Sequence, residues 1–184
     1  MTAPRVIGKP VKHKPENDCP MNIDPGGIIQ ALILIGTANS APIVARKLFG
    51  AHFSRPVDAG KLLSDQQPLF GASKTWRGLV AAVACPAAIA PLIGLSALLG
   101  AGFGALSISA DLLASFTKRR LGYAPSSRTR LLDVFPEALL PMLVFNSLLG
   151  LGKWDILLTA LIFFVLEASI SPLLYRWHIR NRPY

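Results

Sequence analysis

The sequence predicts an all-α, polytopic membrane protein with about five transmembrane helices. Three observations predict it. Apolar residues make up 52% of the 184-residue chain, and the mean hydropathy is +0.46. Charged residues reach only 16%, against roughly 25% in average soluble domains. The stretch from Gly78 to Ala110 carries no charge at all and exceeds the ~20 apolar residues that one crossing of the hydrocarbon layer needs.

Residues 1–25 hold Pro4, Pro10, Pro15, Pro20 and Pro25 with charges of both signs. Such a segment makes a poor helix and a poor core, so it reads as a mobile polar tail. No apolar run near the start marks a secretory signal. Residues 26–184 then form the membrane-embedded domain. The first helix is expected from about Gly26 to Arg46. The charge-free run divides into two helices near residues 96–99, where Gly94, Gly100, Gly102 and Gly104 offer a break. The second of these ends at Lys118-Arg119-Arg120. Leu131–Leu151 and Trp154–Tyr175 supply the fourth and fifth helices. Pro86, Pro91 and Pro141 predict kinks. Gly100 and Gly104, four apart, predict close helix packing.

Orientation follows from Lys and Arg in the short loops. With five spans, the 46–77 loop, the 118–130 loop and the C-terminal tail share one side, with fourteen basic residues between them. The other side holds Lys153 and the tail's four. The expected topology is N-terminus outside and C-terminus cytoplasmic, in the inner (cytoplasmic) cell membrane. The net charge of +9 could signal a nucleic-acid partner. However, the basic residues lie between apolar spans, which fits anionic headgroups and phosphorylated substrates better than nucleic acid. Cys19 and Cys85 form no disulfide or zinc pattern, and His13, His52 and His178 are scattered.

Asp111 continues an apolar run and is costly if it faces lipid. On a helix Asp111, Ser115 and Lys118 share a face, spanning a rise of roughly 10 Å. That suits a divalent metal held by the acid, with cations gripping the phosphates it bridges. A structural pairing of Asp111 with Lys118 or Arg119 explains the same residues. Asp133 and Glu137 lie a turn apart at the start of the fourth helix, and either cap it or join Asp111 around Mg²⁺.

The segment PLFGASKTWRGL, residues 68–79, precedes the second helix. Ser73 and Thr75 are candidate N-caps. Lys74 and Arg77 are candidate phosphate contacts, or interfacial anchors beside Trp76. Asn39 and Ser40 are polar at membrane depth beside Pro42, lining a cavity or bonding another helix. Asp58, in RPVDAGK, reads as a solvated loop charge.

In order, ANSAPIVARKLFG, RPVDAGK, PLFGASKTWRGL, ADLLASFTKRRLG and LLDVFPEALLP resemble the successive motifs of the CDP-archaeol synthase family, which is related to the CDP-diacylglycerol synthases. The resemblance covers about residues 28–175. It implies a five-span, Mg²⁺-dependent enzyme that joins CMP from CTP to a membrane lipid phosphate, giving a CDP-lipid and pyrophosphate. It implies Asp111 and Asp133 as metal-binding acids, with Glu137 beside Pro136, where archaeal members commonly carry a second Asp. Lys74, Arg77, Lys118, Arg119 and Arg120 become phosphate contacts. Asn39, Ser40, Ser73, Thr75 and Ser115 become polar groups of the cavity. Expected partners are CTP, a lipid phosphate and the bilayer, and a homodimer is compatible with this reading. A CDP-alcohol phosphotransferase would carry an Asp-Gly pair and a denser set of Asp residues, which this chain lacks. A small transporter or assembly subunit would use Asp111 for protons or packing.

Overall fold

The computed structural model describes residues 23–123 and 130–176, with the side chains of 130–133 and 170–176 outside the description. The expected tail up to residue 22, and the side chain of Asp133, therefore lie outside the described residues. Five helices follow one another: α1 (Pro25–Phe49), α2 (Trp76–Ile89), α3 (Ala97–Arg120), α4 (Arg130–Leu149) and α5 (Lys153–Arg176). Among the described residues there is no β-strand, only two isolated bridge pairs, Pro56 with Thr75 and Leu62 with Pro68.

Each start has a local cause. Asp24 caps α1, its carboxylate accepting from Gly26 N at 3.0 Å, and Pro25 opens the first turn where its missing N–H does no harm. Thr75 caps α2 by accepting from Gly78 N at 3.3 Å, so Thr75 and not Ser73 is the cap. The charge-free run breaks at a 3₁₀ turn, Ala90–Ile93, followed by Gly94 at φ +80°, which an L side chain rarely adopts. Ser96 then caps α3 through Leu99 N at 3.1 Å. The break thus falls at 94–96, just before the expected place. Pro86 and Pro141 lie inside α2 and α4, and Pro91 lies in the 3₁₀ turn.

Among the described residues, three segments are long and apolar enough to cross a membrane: Pro25–Phe49, Trp76–Ile93 and Ala97–Arg120. Val134–Leu149 is a shorter apolar helix. The chain turns many of its large apolar side chains outward, among them Leu92, Leu98, Val80 and Leu148. That is the surface of a protein solvated by lipid tails. Inside, α1 packs against each of the other four helices, and Ile28, Leu34, Ile35, Phe103, Met142 and Phe163 form part of the core.

Lipid tails are as apolar as Leu, so close packing must hold the helices together. Here it is done by glycine. A Cβ on Gly100 would lie 2.3 Å from the Pro86 carbonyl oxygen, and one on Gly104 would lie 2.2 Å from that of Ala82. These contacts also set the antiparallel register of α2 on α3. Gly104→Ala is therefore expected to destabilise the protein by about 1–3 kcal/mol through overpacking. Thermal unfolding in detergent checks this, and an unchanged midpoint contradicts it.

The two ends of the bundle differ. At one end, Asp155 of α5 accepts from Gly152 N at 2.9 Å and from Asp24 N at 3.3 Å, and Gln30 Nε2 donates to the Ile93 carbonyl at 2.9 Å. The other end carries the 50–75 loop and the C-terminus of α3, where most of the described basic side chains collect.

Candidate active site

The site is built on two elements that end together. The α2–α3 register brings the start of α2 alongside Asp111, nine residues before the end of α3. Lys74 Nζ donates to Asp111 Oδ2 in a short ion pair. The lysine and aspartate side chains keep 21% and 17% of their exposure, so the pair is largely withdrawn from solvent but reachable. The partner of Asp111 is thus a residue of the PLFGASKTWRGL segment, and neither Lys118 nor Arg119 of its own helix.

Around this pair the end of α3 is densely charged. Lys118 and Arg119 are buried to 6% and 2% exposure, and Ser115 is buried between them and Asp111 in sequence. An Arg119 Nη1 donates to the Tyr123 carbonyl, which closes the helix end. Its Nε is buried without a hydrogen-bond partner. Glu137, on α4, is buried as well, and α4 packs against α3. Asn39, on α1, has its Nδ2 buried and unpartnered, a polar group available to a ligand. Ser107, one turn below Asp111, is fully buried with an unpartnered hydroxyl. Sequence reasoning missed it, because a serine in a helix that also bears Ser109 gives no distinct signal.

The other sequence candidates make contacts of their own. Ser40 is exposed and its Oγ returns to the Thr37 carbonyl of its own helix at 3.4 Å. Ser73 is exposed. Arg77 Nη1 donates to the carbonyls of Gly50 at 2.9 Å and His52 at 2.7 Å, so it ties the turn after α1 to α2. Arg120 pairs with Asp65 at 2.9 Å, donates to the Pro68 carbonyl at 2.9 Å and lies 5.2 Å over the Phe116 ring. These bonds pin the long loop to α3.

Asp58 corrects the sequence reading. It is buried, at 5% exposure, and is no solvated loop charge. Its carboxylate accepts from Gly71 N at 2.9 Å and from Gly60 N and Phe70 N at 3.1 Å each. Burial alone would raise its pKa. The hydrogen bonds from Gly71, Gly60 and Phe70 favour the charged form and outweigh burial, leaving the pKa below the usual value. This knot fixes Gly71, whose carbonyl accepts from Lys74 N at 3.1 Å. The backbone that presents Lys74 to Asp111 is therefore anchored by Asp58.

No group of three or more His, Cys, Asp or Glu gathers among the described residues. The donor chemistry nevertheless fits a hard divalent cation, which takes carboxylate oxygens. Asp111 already holds a cation against one oxygen in the form of the Lys74 ammonium.

Fold and charge together define a polytopic membrane protein whose withdrawn acidic and basic groups meet at one end of a helical bundle. No family model matches the chain. It is 37% identical over 129 residues to the CDP-archaeol synthase of Hyperthermus butylicus, covering 62% of this chain and 70% of that one. With the CDP-archaeol synthase of Aeropyrum pernix it shares 37% over 115 residues, covering 58% of this chain and 63% of that one. With that of Archaeoglobus fulgidus it shares 29% over 150 residues, covering 70% and 84%. Its fold is similar to a solved intramembrane enzyme for archaeal membrane lipid biosynthesis. The TM-score is 0.67 at 28% identity, covering 77% of this chain and 90% of that one. The chain belongs to the CDP-archaeol synthase family.

Proposed function

We propose that the chain is a membrane cytidylyltransferase that joins the CMP moiety of CTP to a lipid phosphate, releasing pyrophosphate and leaving a CDP-lipid. Its relatedness to the CDP-archaeol synthases carries this reading. The Lys74–Asp111 pair at the basic end of the bundle supports the location. In this reading the helices span the bilayer five times, with that end in the cytoplasm, where CTP is available.

In the reaction an oxygen of the lipid phosphate attacks the α-phosphorus of CTP, and the bond to the β-phosphate oxygen breaks. The attacking oxygen is already ionised near neutral pH, so no general base is needed. The obstacle is the approach of two anions, and catalysis is mostly positioning and charge neutralisation. Lys74 brings a cation to the site through a backbone held by Asp58. Lys118 and Arg119 add positive charge at the end of α3, in surroundings where water screens it little. Asn39 and Ser107 offer a hydrogen-bonding amide and hydroxyl for the nucleotide. Asp111, Asp133 and Glu137 are the residues that would hold Mg²⁺. When bound, the ion would neutralise phosphate oxygens of the nucleotide.

The test is to incubate purified, vesicle-reconstituted protein with α-labelled CTP, Mg²⁺ and a panel of ether- and ester-linked lipid phosphates. One or more should become labelled CDP-lipid, with one pyrophosphate released per product and no product in EDTA. Absence of CDP-lipid across the panel overturns the reading.

A further inference from the structure

A groove of about 1000 Å³ runs between the C-terminal end of α1, residues 51–55 and the first turns of α2. That is the upper end of small-molecule pocket volumes, roughly 300–1,000 Å³. Phe49, Phe53, Trp76 and Val80 line it, together with Arg55 and Arg77. The four apolar side chains are largely exposed on the outer surface. Phe49 and Phe53 stand edge to face, with ring centroids 6.1 Å apart and planes at 84°. Arg77 locks the lip by holding the Gly50 and His52 carbonyls, and its Nε is buried with no hydrogen-bond partner.

We infer that this groove binds the lipid phosphate acceptor, with hydrocarbon against the aromatic wall and the phosphate at Arg55 and Arg77. The inference rests on the cytidylyl-transfer reading and names the acceptor's place in it. A groove in a lipid-facing surface fills with hydrocarbon whatever the headgroup, so the headgroup must be chosen by charge. Among the described residues, two guanidinium side chains line the groove and no acidic side chain does. Guanidinium matches phosphate oxygens in a planar fork, and a monoester offers more negative charge than the diester of an ordinary phospholipid. The groove also lies at the start of α2, where the helix dipole favours an anion. Lys74, three residues before Arg77, turns instead to Asp111. One helix end thus presents a cation to each side: Lys74 to the nucleotide, Arg77 to the lipid.

The test uses the full-length chain in vesicles. Arg55→Gln and Val80→Trp alter the exposed rim and spare Lys74, Asp111 and the Arg77 lock. Each is expected to raise the KM for lipid phosphate about tenfold or more while the KM for CTP stays the same. A second readout needs no turnover. In a Trp154→Phe/Trp177→Phe background, fluorescence of Trp76 should be quenched at lower mole fraction by a brominated-chain lipid phosphate than by a brominated-chain phosphatidylcholine. Arg55→Gln should erase that preference. If the wild type makes CDP-lipid but both rim variants keep its lipid KM, or if the two brominated lipids quench alike, the groove is a general hydrocarbon contact and the inference falls. If the wild type makes no CDP-lipid yet the quenching preference persists, the reaction assignment fails and the lipid phosphate groove stands.

Discussion

Asp111→Asn is expected to abolish CDP-lipid formation, a fall of at least about 10²–10³-fold, in a protein that still inserts and folds. The substitution keeps the side chain's shape and removes its charge. Lys74 then loses its counter-ion, and the site loses the carboxylate proposed to hold a divalent cation. A purely structural ion pair makes a different prediction. If the pair only joins α3 to the loop, removing one charge destabilises the fold because the other is left without compensation, and removing both repairs it. The double variant Lys74→Met/Asp111→Asn separates the two. A structural pair restores stability and turnover together; a catalytic pair restores thermal stability and leaves turnover absent. Near-normal turnover in Asp111→Asn alone would overturn the role given to this residue.

The helices were legible because their boundaries rest on local chemistry. Thr75, Gly94 and the Lys118-Arg119-Arg120 triplet mark ends within a few residues of those observed. The partner of Asp111 was not legible. Helical arithmetic proposes neighbours on the same helix, and Lys118 lies seven residues on. The real partner comes from the antiparallel register, set by Gly100 on Pro86 and Gly104 on Ala82. Seven residues past Gly104 on α3 is Asp111, and seven residues before Ala82 on α2 is Thr75, next to Lys74. The glycine spacing announced close packing, but nothing in the sequence says what a glycine packs against. Arg77 and Arg120 taught a related lesson. A basic residue near a membrane surface looks alike in sequence whether or not it also braces the backbone, and these two hold carbonyls besides whatever anion they meet. Asp58 was half legible. The Asp-Ala-Gly turn accounts for its bond to Gly60 N, whereas Phe70 and Gly71 arrive from twelve and thirteen residues away.

That last residue gives the second large effect. Asp58→Ala removes the acceptor of three backbone donors: Gly71 N, which is buried, and Phe70 N and Gly60 N, which are half-buried and in an exposed turn, respectively. A buried unsatisfied donor costs about 1–3 kcal/mol, so the loss at Gly71 alone should take about that much local stability from the loop. The helices make their own contacts and should stay folded. Tryptic cleavage after Lys61, an exposed site within the loop, should accelerate about tenfold or more. Turnover should fall too, because Val57 N bonds the Lys74 carbonyl and Lys74 N bonds that of Gly71. The pH dependence has a definite sign. The folded pKa of Asp58 lies below its ordinary value, so its contribution is fully present above the unfolded pKa of about 3.9. It is lost as pH falls through the lower, folded value. Hydrogen exchange of residues 56–74, corrected for intrinsic rate, should therefore be flat from pH 5 to 8 and rise only on the acid side of about 4. Asp58→Asn should remove that acid limb by exposing the loop at every pH. Protection of residues 56–74 that is unchanged in Asp58→Ala would mean that Arg120, through Asp65 and Pro68, holds the loop without help from the buried carboxylate.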